Sequence, residues 1–313
     1  MKQVAISIGD LNGIGIQLAL ECHDTISTLI QPIYCIDRAM LEQTARKLNL
    51  PIPENFQTVE QIAPYFEIEP GVVSKESGAY AYASFNAAVT LAKDHAVNAI
   101  CTLPIHKKAW ELAGVRYKGH TDALRDIFDA EAIMMLGCPQ MYVALYTEHI
   151  PLREVADTIN ETDLTRFLID FYHTAKPQST VAVLGLNPHA GDDGVLGDEE
   201  TIIQKAIDNA TQTLITQNQT LSAPLFTRPL VPDVAFTPAM RRKFTHYIAM
   251  YHDQGLAPLK ALYFDEGVNV SLNLPILRTS VDHGTAFDIA YTNAKLNTLS
   301  YVNAIKYIKE SIR

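Results

Sequence analysis

The sequence predicts an α/β protein with a largely parallel sheet, organised as two domains or as one large one. Short apolar runs of strand character alternate with segments of helical periodicity, as expected of βαβ units. The chain has 313 residues, more than a typical single domain contains. Histidines follow three of the apolar runs, and the carboxyl ends of parallel strands are where such sheets place functional side chains.

The alternation of strands and helices is clearest in the first third of the chain. Residues 4–8 are predicted as a buried strand, and a glycine-rich turn then leads into helical periodicity over residues 16–22. The pattern continues with strands at 33–36 and 97–103 and helices at 39–48 and 77–94. Two proline-rich stretches, 51–70 and 216–238, are predicted as loops.

Composition excludes several classes of function. The net charge of -10 argues against nucleic acid or an anionic membrane as a partner, because both require a basic face. No apolar stretch reaches the roughly 18 residues of a membrane span, and no export signal is recognisable at the amino terminus. The four cysteines form no Cys-x-x-Cys pair, as expected of reduced thiols in a cytoplasmic protein.

The opening turn imitates a dinucleotide-binding motif without matching it. Gly9, Gly13 and Gly15 have the spacing G-x-x-x-G-x-G, and Asp37 follows the second strand. The Rossmann fingerprint requires G-x-G-x-x-G, whose second glycine admits the pyrophosphate. The sequence therefore favours a tight turn near an active site over a cofactor site.

Three histidines are the candidate metal ligands. His149, His189 and His252 each follow a strand-like run and are separated by 40 (189 − 149) and 63 (252 − 189) residues. Taken singly, each is more often a hydrogen-bonded loop residue than a ligand. Together they could converge at one sheet edge, and three imidazoles suit Zn²⁺ or Co²⁺ in a site open to substrate. Asp233 and Asp253 could orient the rings, or could simply be turn or cap residues.

Two further groups indicate an anion site. His120 and Thr121 precede a helix predicted over residues 123–128, with Thr121 as its N-cap, and a helix start with free amides can bind phosphate. A capped helix without a ligand is an equally good interpretation. Lys260, Asn269 and Arg278 could complete an anion pocket, although each alone is more often a surface group.

Taken together, these motifs resemble the 4-hydroxythreonine-4-phosphate dehydrogenase family of vitamin B6 biosynthesis, which is related in fold to isocitrate and isopropylmalate dehydrogenases. The resemblance covers nearly the whole chain. Its segments are residues 9–15, 102–107, 119–121, 149–153, 186–191, 251–260, 267–269 and 277–286. The chain departs from the family pattern at Leu11 and Asn12, at Asp122, and after His189, where residues 192–194 read Asp-Asp-Gly.

The resemblance implies a two-domain α/β/α fold of the isocitrate dehydrogenase type, with an active-site cleft between the domains. The first domain is expected over residues 1–118 and 275–313. The second is expected over residues 119–274 and should carry the interface of a homodimer.

The resemblance also implies the roles of the site residues. A divalent metal (Zn²⁺, Co²⁺ or Mg²⁺) is expected on His149, His189 and His252, with the ligands of one site contributed by both subunits. The substrate is expected on His120, Thr121, Lys260, Asn269 and Arg278, and the adenosine part of NAD or NADP on His283, Gly284, Thr285 and Asp288. For residues 283–288, the simpler alternative is a loop that binds no ligand.

The implied reaction is the oxidation of 4-phosphooxy-L-threonine to a 3-oxo acid, which then loses carbon dioxide. Lys260, Asp253 or Asp233 would move the protons. A sister dehydrogenase acting on a phosphorylated sugar acid or a cyclic dihydrodiol is the close alternative. A three-histidine zinc hydrolase and a non-catalytic binding protein are more distant ones.

Overall fold

The structure is a computed structural model and describes residues 1–292 and 294–312. The chain forms two compact units, one of Met1–Ala130 with Asp265–Arg313 and the other of Glu131–Phe264. The first unit is discontinuous in sequence.

Strands and helices alternate along much of the chain. The strands are β1 (Gln3–Ser7), β2 (Gln31–Cys35), β3 (Gln57–Thr58), β4 (Ala99–Thr102), β5 (Ile133–Cys138), β6 (Met141–Leu145), β7 (Ala182–Val183), β8 (His246–Ala249), β9 (Val268–Leu272) and β10 (Leu277–Val281). The helices are α1 (Gly15–Ser27), α2 (Arg38–Leu48), α3 (Lys75–Lys93), α4 (Lys107–Leu112), α5 (His120–Phe128), α6 (Leu152–Thr158), α7 (Glu161–Ala175), α8 (Glu199–Gln217), α9 (Pro232–Ala235), α10 (Pro238–Arg241), α11 (His252–Tyr263) and α12 (Leu299–Ser311).

The first unit is built on strands in the order β3-β2-β1-β4-β10-β9. All neighbours in this order are parallel except β9, which runs antiparallel to β10. β1 and β4 read as continuous apolar runs because both of their faces are covered. Phe85 of α3 and Trp110 of α4 are fully buried against this sheet, and truncation of either to alanine would cost about 3–5 kcal/mol.

The second unit is built on strands in the order β5-β6-β8-β7. β5 and β6 form an antiparallel pair, whereas β6, β8 and β7 run parallel to one another. Val143, Tyr247 and Leu256 lie in the core that holds α11 on this sheet. The carboxyl ends of the three parallel strands therefore lie at one edge.

The predicted elements are present, with ends shifted by a few residues, and the sheets are largely parallel as predicted. Thr121 is not the N-cap of α5: the helix begins at His120, its N-cap is Gly119, and no side chain caps it. The antiparallel strands β5 and β9 were not anticipated. α5 and β9 belong to the first unit, not the second as the expected boundaries placed them, because His120 packs on Phe85 and β9 pairs with β10.

The sequence also predicts reduced cysteines and no membrane-spanning segment. Cys22, Cys35, Cys101 and Cys138 are all buried free thiols. Within residues 1–292 and 294–312, no helix has the length and apolar character needed to span a bilayer.

Candidate active site

The three candidate metal ligands follow three neighbouring parallel strands of the second unit. His149 lies four residues beyond β6, and His252 is the first residue of α11, just after β8. His189 lies in a short 3-10 segment, Pro188–Gly194, that follows β7. The sequence prediction that these histidines follow strand ends at one edge of a sheet is confirmed.

A buried network ties these strand ends together. The amide of Gln254 accepts a hydrogen bond from the backbone N–H of Met250 and donates one to the carbonyl of Gly185, both at 2.7 Å. Thr147 donates its hydroxyl to the carbonyl of Met250, also at 2.7 Å. Gly255 allows α11 to lie close to the sheet, since a Cβ there would lie 2.4 Å from Val143 Cγ1.

His149 and His252 are brought together. Their ring centroids are 5.6 Å apart. The carboxylate of Asp253 lies 2.6 Å from Nδ1 of His252, a contact that favours the proton on Nδ1 and leaves Nε2 of that ring for a ligand. Asp253 thus stands where a carboxylate orients a metal-binding imidazole.

His189 occupies an unusual backbone. Five consecutive residues, His189 to Asp193, have positive φ angles of 54°, 52°, 79°, 45° and 55°. Among them only Gly191 adopts this region without steric cost. Glu200 holds the segment, because its Oε1 accepts the backbone N–H groups of Leu186 and Asn187, each at 2.8 Å.

The three histidines do not form one metal-holding group within the chain. Within the described ranges 1–292 and 294–312, no cluster of three His, Cys, Asp or Glu side chains has metal-site geometry. The resemblance implies that both subunits contribute ligands to one site, so the three-histidine metal site stays a prediction.

The first unit contains a buried cation that has no carboxylate partner among residues 1–292 and 294–312. Arg278 of β10 is 2% exposed. Its Nε and Nη2 donate to the hydroxyl of Thr102 at 3.2 and 2.7 Å, and its Nη1 donates to Ser271 at 3.1 Å. Burial lowers the pKa of Arg278 to about 10, so the group is still charged at neutral pH. A buried guanidinium whose partners are all neutral hydroxyls is well suited to an anion.

Two polar atoms beside this cation are buried without a hydrogen-bond partner: Nε2 of His120 and Oδ1 of Asn269. The His120 ring packs against Phe85 and Trp110, with centroids 5.0 and 5.3 Å away. Burial, with a smaller contribution from Arg278, holds the pKa of His120 well below its ordinary value of 6.5. The imidazole is therefore neutral, and its unpartnered nitrogen is available to a bound group.

Thr121 lies beside the same cation, since its hydroxyl is 3.4 Å from that of Ser271. Four of the five predicted substrate residues, His120, Thr121, Asn269 and Arg278, thus belong to the first unit. Sequence reasoning missed Thr102 and Ser271. Thr102 opens a segment that matched the family pattern, which could have indicated it, whereas nothing in the sequence marked Ser271.

The remaining candidates for proton transfer lie in the second unit. Lys260 is partly buried on α11, with its Nζ 5.9 Å from the centroid of the Phe264 ring. Asp233 is exposed on α9, so it is not part of the network that joins the strand ends.

The opening turn is a packing element. A Cβ at Gly9 would lie 2.2 Å from the carbonyl oxygen of Pro104, and one at Gly13 would lie 2.7 Å from that of Thr285. Ile14 donates its backbone N–H to the Thr285 carbonyl at 3.0 Å. The space beside these glycines is thus filled by the protein's own backbone, as the tight-turn interpretation predicts.

The predicted nucleotide segment lies directly on that turn. Nε2 of His283 is buried without a hydrogen-bond partner, Gly284 is exposed with open space around it, and Thr285 is buried. Asp288 is exposed. The segment does not open a helix directly, because the next helix is α12, which starts at Leu299.

Comparisons with known proteins identify the family. The sequence profile described as "Pyridoxal phosphate biosynthetic protein PdxA" matches residues 28–308. The 4-hydroxythreonine-4-phosphate dehydrogenase of Sulfurimonas denitrificans is 56% identical over 304 residues, which cover 97% of this chain and 96% of that protein. The enzyme of the same name from Campylobacter fetus is 48% identical over 308 residues, covering 98% and 97%.

Solved structures agree with this assignment. The crystal structure of a 4-hydroxythreonine-4-phosphate dehydrogenase from Burkholderia phymatum superimposes with a TM-score of 0.80 at 30% identity and covers 99% of this chain and 98% of that one. A terephthalate 1,2-cis-dihydrodiol dehydrogenase from Burkholderia xenovorans, with a TM-score of 0.68 at 23% identity over 98% and 97% of the chains, has the same fold. This chain therefore belongs to the family of the pyridoxal phosphate biosynthetic protein PdxA.

Proposed function

We propose that this protein is a 4-hydroxythreonine-4-phosphate dehydrogenase. It oxidises 4-phosphooxy-L-threonine with NAD or NADP to 2-amino-3-oxo-4-phosphooxybutanoate, which decarboxylates to 3-amino-2-oxopropyl phosphate. Membership of the family makes it an oxidoreductase of pyridoxal phosphate biosynthesis. The observation in the molecule itself that carries the proposal is the buried guanidinium of Arg278, whose partners are neutral hydroxyls.

The anionic groups of the substrate would supply the counter-charge that the Arg278 guanidinium lacks. Three of the five N–H groups of the Arg278 guanidinium are used by Thr102 and Ser271, so two remain for oxygen acceptors. His120, Thr121 and Asn269 lie on the helix start and strand beside it, and Lys260 is expected to hold a further anionic group. This charge pattern favours an anionic substrate, such as a phosphorylated one, over an uncharged one.

We assign the metal to His149, His189 and His252. A donor set of imidazoles fits Zn²⁺ or Co²⁺ better than Mg²⁺, which prefers oxygen. Two of the rings approach each other within one chain, and a partner subunit would supply the third. When bound, the ion would lower the pKa of the substrate's secondary hydroxyl and polarise the carbonyl that replaces it.

The protein's own side chains would then handle the protons. The secondary hydroxyl loses its proton to a base, its carbon gives a hydride to the nicotinamide, and the 3-oxo acid releases carbon dioxide to leave an enol that a general acid protonates. Lys260 is the residue we propose for this transfer. Asp253 already accepts from His252, so orientation of that ring is its more direct role, and the exposed Asp233 remains a further candidate.

We place the adenosine part of NAD or NADP at His283, Gly284, Thr285 and Asp288. The buried, unpartnered Nε2 of His283 and the open space at Gly284 support this position. The opening turn offers no comparable space, because a Cβ at Gly9 or Gly13 would meet backbone atoms.

A homodimer in the cytoplasm is the form we propose for the active protein. Exposed apolar side chains lie close in sequence to two of the histidines: Leu152 is 69% exposed near His149, and Val195 is 78% exposed near His189. Apolar side chains in these places are typical of a surface that a second subunit covers.

One assay tests the function. Protein freed of metal by chelation is given 4-phosphooxy-L-threonine with NAD or NADP, and nicotinamide reduction is followed as each metal is returned. We expect turnover only with metal, and its loss in His189→Ala with an unchanged circular dichroism spectrum. Hydrolysis without nicotinamide reduction would indicate a zinc hydrolase. Metal-independent ligand binding without turnover would indicate a binding protein, and turnover of a sugar acid or dihydrodiol in preference would indicate a sister dehydrogenase.

A further inference from the structure

The buried hydroxyl of Thr102 lies between two groups of the proposed anion site. It is on β4 and fully buried. Arg278 donates to its oxygen twice, from Nε at 3.2 Å and from Nη2 at 2.7 Å. On its other side, Oγ1 of Thr102 is 3.5 Å from Nδ1 of His120.

The number of sites on a hydroxyl fixes the direction of these bonds. A threonine hydroxyl has two acceptor lone pairs and one proton. The guanidinium can only donate, so its two N–H groups, which reach the Thr102 oxygen from one side, leave the hydroxyl proton to point away from Arg278. Among the described residues, the polar atom within reach on that other side is Nδ1 of His120 at 3.5 Å, so the geometry points to Nδ1 as the acceptor of this proton.

The tautomer of His120 follows from this direction. Because burial keeps the pKa of His120 well below 6.5, the ring is neutral and carries one proton. With Nδ1 accepting from Thr102, that proton is on Nε2, which is the buried atom without a partner. A ring nitrogen that carries the proton can only donate, so it matches a phosphate or carboxylate oxygen.

We propose that Thr102 is a positioning residue. In this hydrogen-bond relay, its hydroxyl accepts from Arg278 and donates to Nδ1 of His120, which fixes the imidazole as an Nε2–H donor toward an oxyanion. The relay is a property of the free protein. The relay deepens the proposed function. Its use in substrate binding rests on that function, whereas the tautomer of His120 does not.

The test is the protonation of the His120 ring nitrogens in the full-length protein, labelled with ¹⁵N-histidine. Two-bond ¹H–¹⁵N correlation spectra distinguish a protonated from an unprotonated ring nitrogen. The chain has 10 histidines, so the His120 signals are assigned by their loss in His120→Gln. We expect wild-type His120 to show a protonated Nε2 and an unprotonated Nδ1 at pH 7.

Three variants separate the relay from packing. Thr102→Val, which has nearly the same shape but no hydroxyl, should abolish the preference for the Nε2–H tautomer, and Thr102→Ser should keep it. The matched control is Thr279→Val on β10, which removes another buried threonine hydroxyl, one that donates to the carbonyl of Ala304 at 3.2 Å. It should leave the His120 spectrum unchanged.

Binding of inorganic phosphate, measured by calorimetry, provides the second readout. Thr102→Val should weaken it about tenfold or more, the effect of one misdirected hydrogen bond to a charged group, whereas Thr102→Ser should stay within about threefold of wild type. A protonated Nδ1 in wild type, or a Thr102→Val spectrum identical to wild type, overturns the relay. Should Thr102→Val not fold, the wild-type and Thr102→Ser spectra still decide. A correct tautomer without phosphate binding would keep the relay and reject the anion site.

Discussion

At the scale of single residues, the feature that marks the candidate site is a charged side chain that is buried among neutral partners. Arg278 is the main example, because Thr102 and Ser271 position its guanidinium without neutralising it. A buried ionic group without a counter-charge is costly to the folded protein. Such a cost is typical of functional positions, where a ligand supplies the missing charge.

Arg278→Lys should therefore be strongly impaired although it keeps the charge. A lysine cannot reproduce the planar fork that reaches Thr102 and Ser271, so we expect kcat/KM to fall by about 100-fold or more. Arg116→Lys is the control, since Arg116 is 71% exposed and pairs with the exposed Asp126. Steady-state kinetics in which Arg278→Lys and Arg116→Lys both match wild type would contradict this role.

Asp10 is a second buried charge, in the opening turn, and it affects stability. Burial raises its pKa from 3.8 to about 6, despite hydrogen bonds from the Asn12 backbone and the Ser77 hydroxyl. The folded state therefore keeps a proton that the unfolded state has lost. The contribution of Asp10 to stability falls as pH rises from 3.8 to about 6.

Asp10→Asn should consequently stabilise the protein above pH 6 and not below pH 4. The expected gain at pH 8 is at most about 3 kcal/mol, from a pKa difference of about two units at 1.36 kcal/mol each. Urea unfolding of wild type and variant at pH 4 and pH 8 measures this gain in stability. His246, whose pKa burial lowers to about 4, contributes equally to both proteins and does not affect the comparison. Asp157→Asn, on the exposed surface of α6, should show no such pH dependence, and equal stability of Asp10→Asn and wild type at pH 8 would refute the prediction.

At the scale of elements, the second unit places its histidines through the ends of β6, β7 and β8. The Gln254 side chain joins the ends of β7 and β8, while Glu200 at the start of α8 holds the segment that carries His189. His149 and His252 depend on neighbouring strands, whereas His189 depends on a strained loop and its anchor.

Glu200→Gln should loosen the His189 segment selectively. One glutamine oxygen can still accept from Leu186 or Asn187, but its amide N–H₂ would face the side-chain N–H₂ of Asn187, which now donates to Oε2 of Glu200 at 3.0 Å. We expect metal affinity to fall by about 10–100-fold, as when other supports of metal ligands are lost, with little change in the thermal midpoint. Metal titration against a chelating indicator measures this. Glu111→Gln, in an exposed pair with Lys108, is the control, and unchanged affinity in Glu200→Gln would show that the anchor is dispensable.

At the scale of the whole molecule, the proposed function requires two copies of the chain. His149 and His252 approach each other in one chain, and no three-membered metal group forms among the residues described in it. The exposed Leu152 near His149 and Val195 near His189 give a second subunit an apolar surface to cover.

Mixing subunits tests this arrangement. His189→Ala and His252→Ala should each be inactive alone. After denaturation together and refolding, half of the dimers would be mixed, and each mixed dimer would hold one complete site, so roughly a quarter of wild-type activity should return. If the mixture stays inactive while refolded wild type recovers, the ligands of a site do not come from both subunits.

The sequence by itself determined the fold class, the parallel strands and the histidines that follow them, because these depend on local periodicity and on the apolar character of buried strands. It also favoured a tight turn over a nucleotide site at residues 9–15, since the glycine spacing is local information. The antiparallel strands β5 and β9, the N-cap of α5 and the position of α5 in the first unit were decided only by tertiary contacts.

The candidate site shows the same division. The sequence indicated Arg278 and His120, but only the structure showed that Arg278 is buried with neutral partners and that Thr102 connects it to His120. It also showed no three-membered metal group among the described residues of one chain. Hydrogen-bond direction and burial depend on residues that are distant in sequence, such as Thr102 and Arg278, and no local pattern records which of them meet.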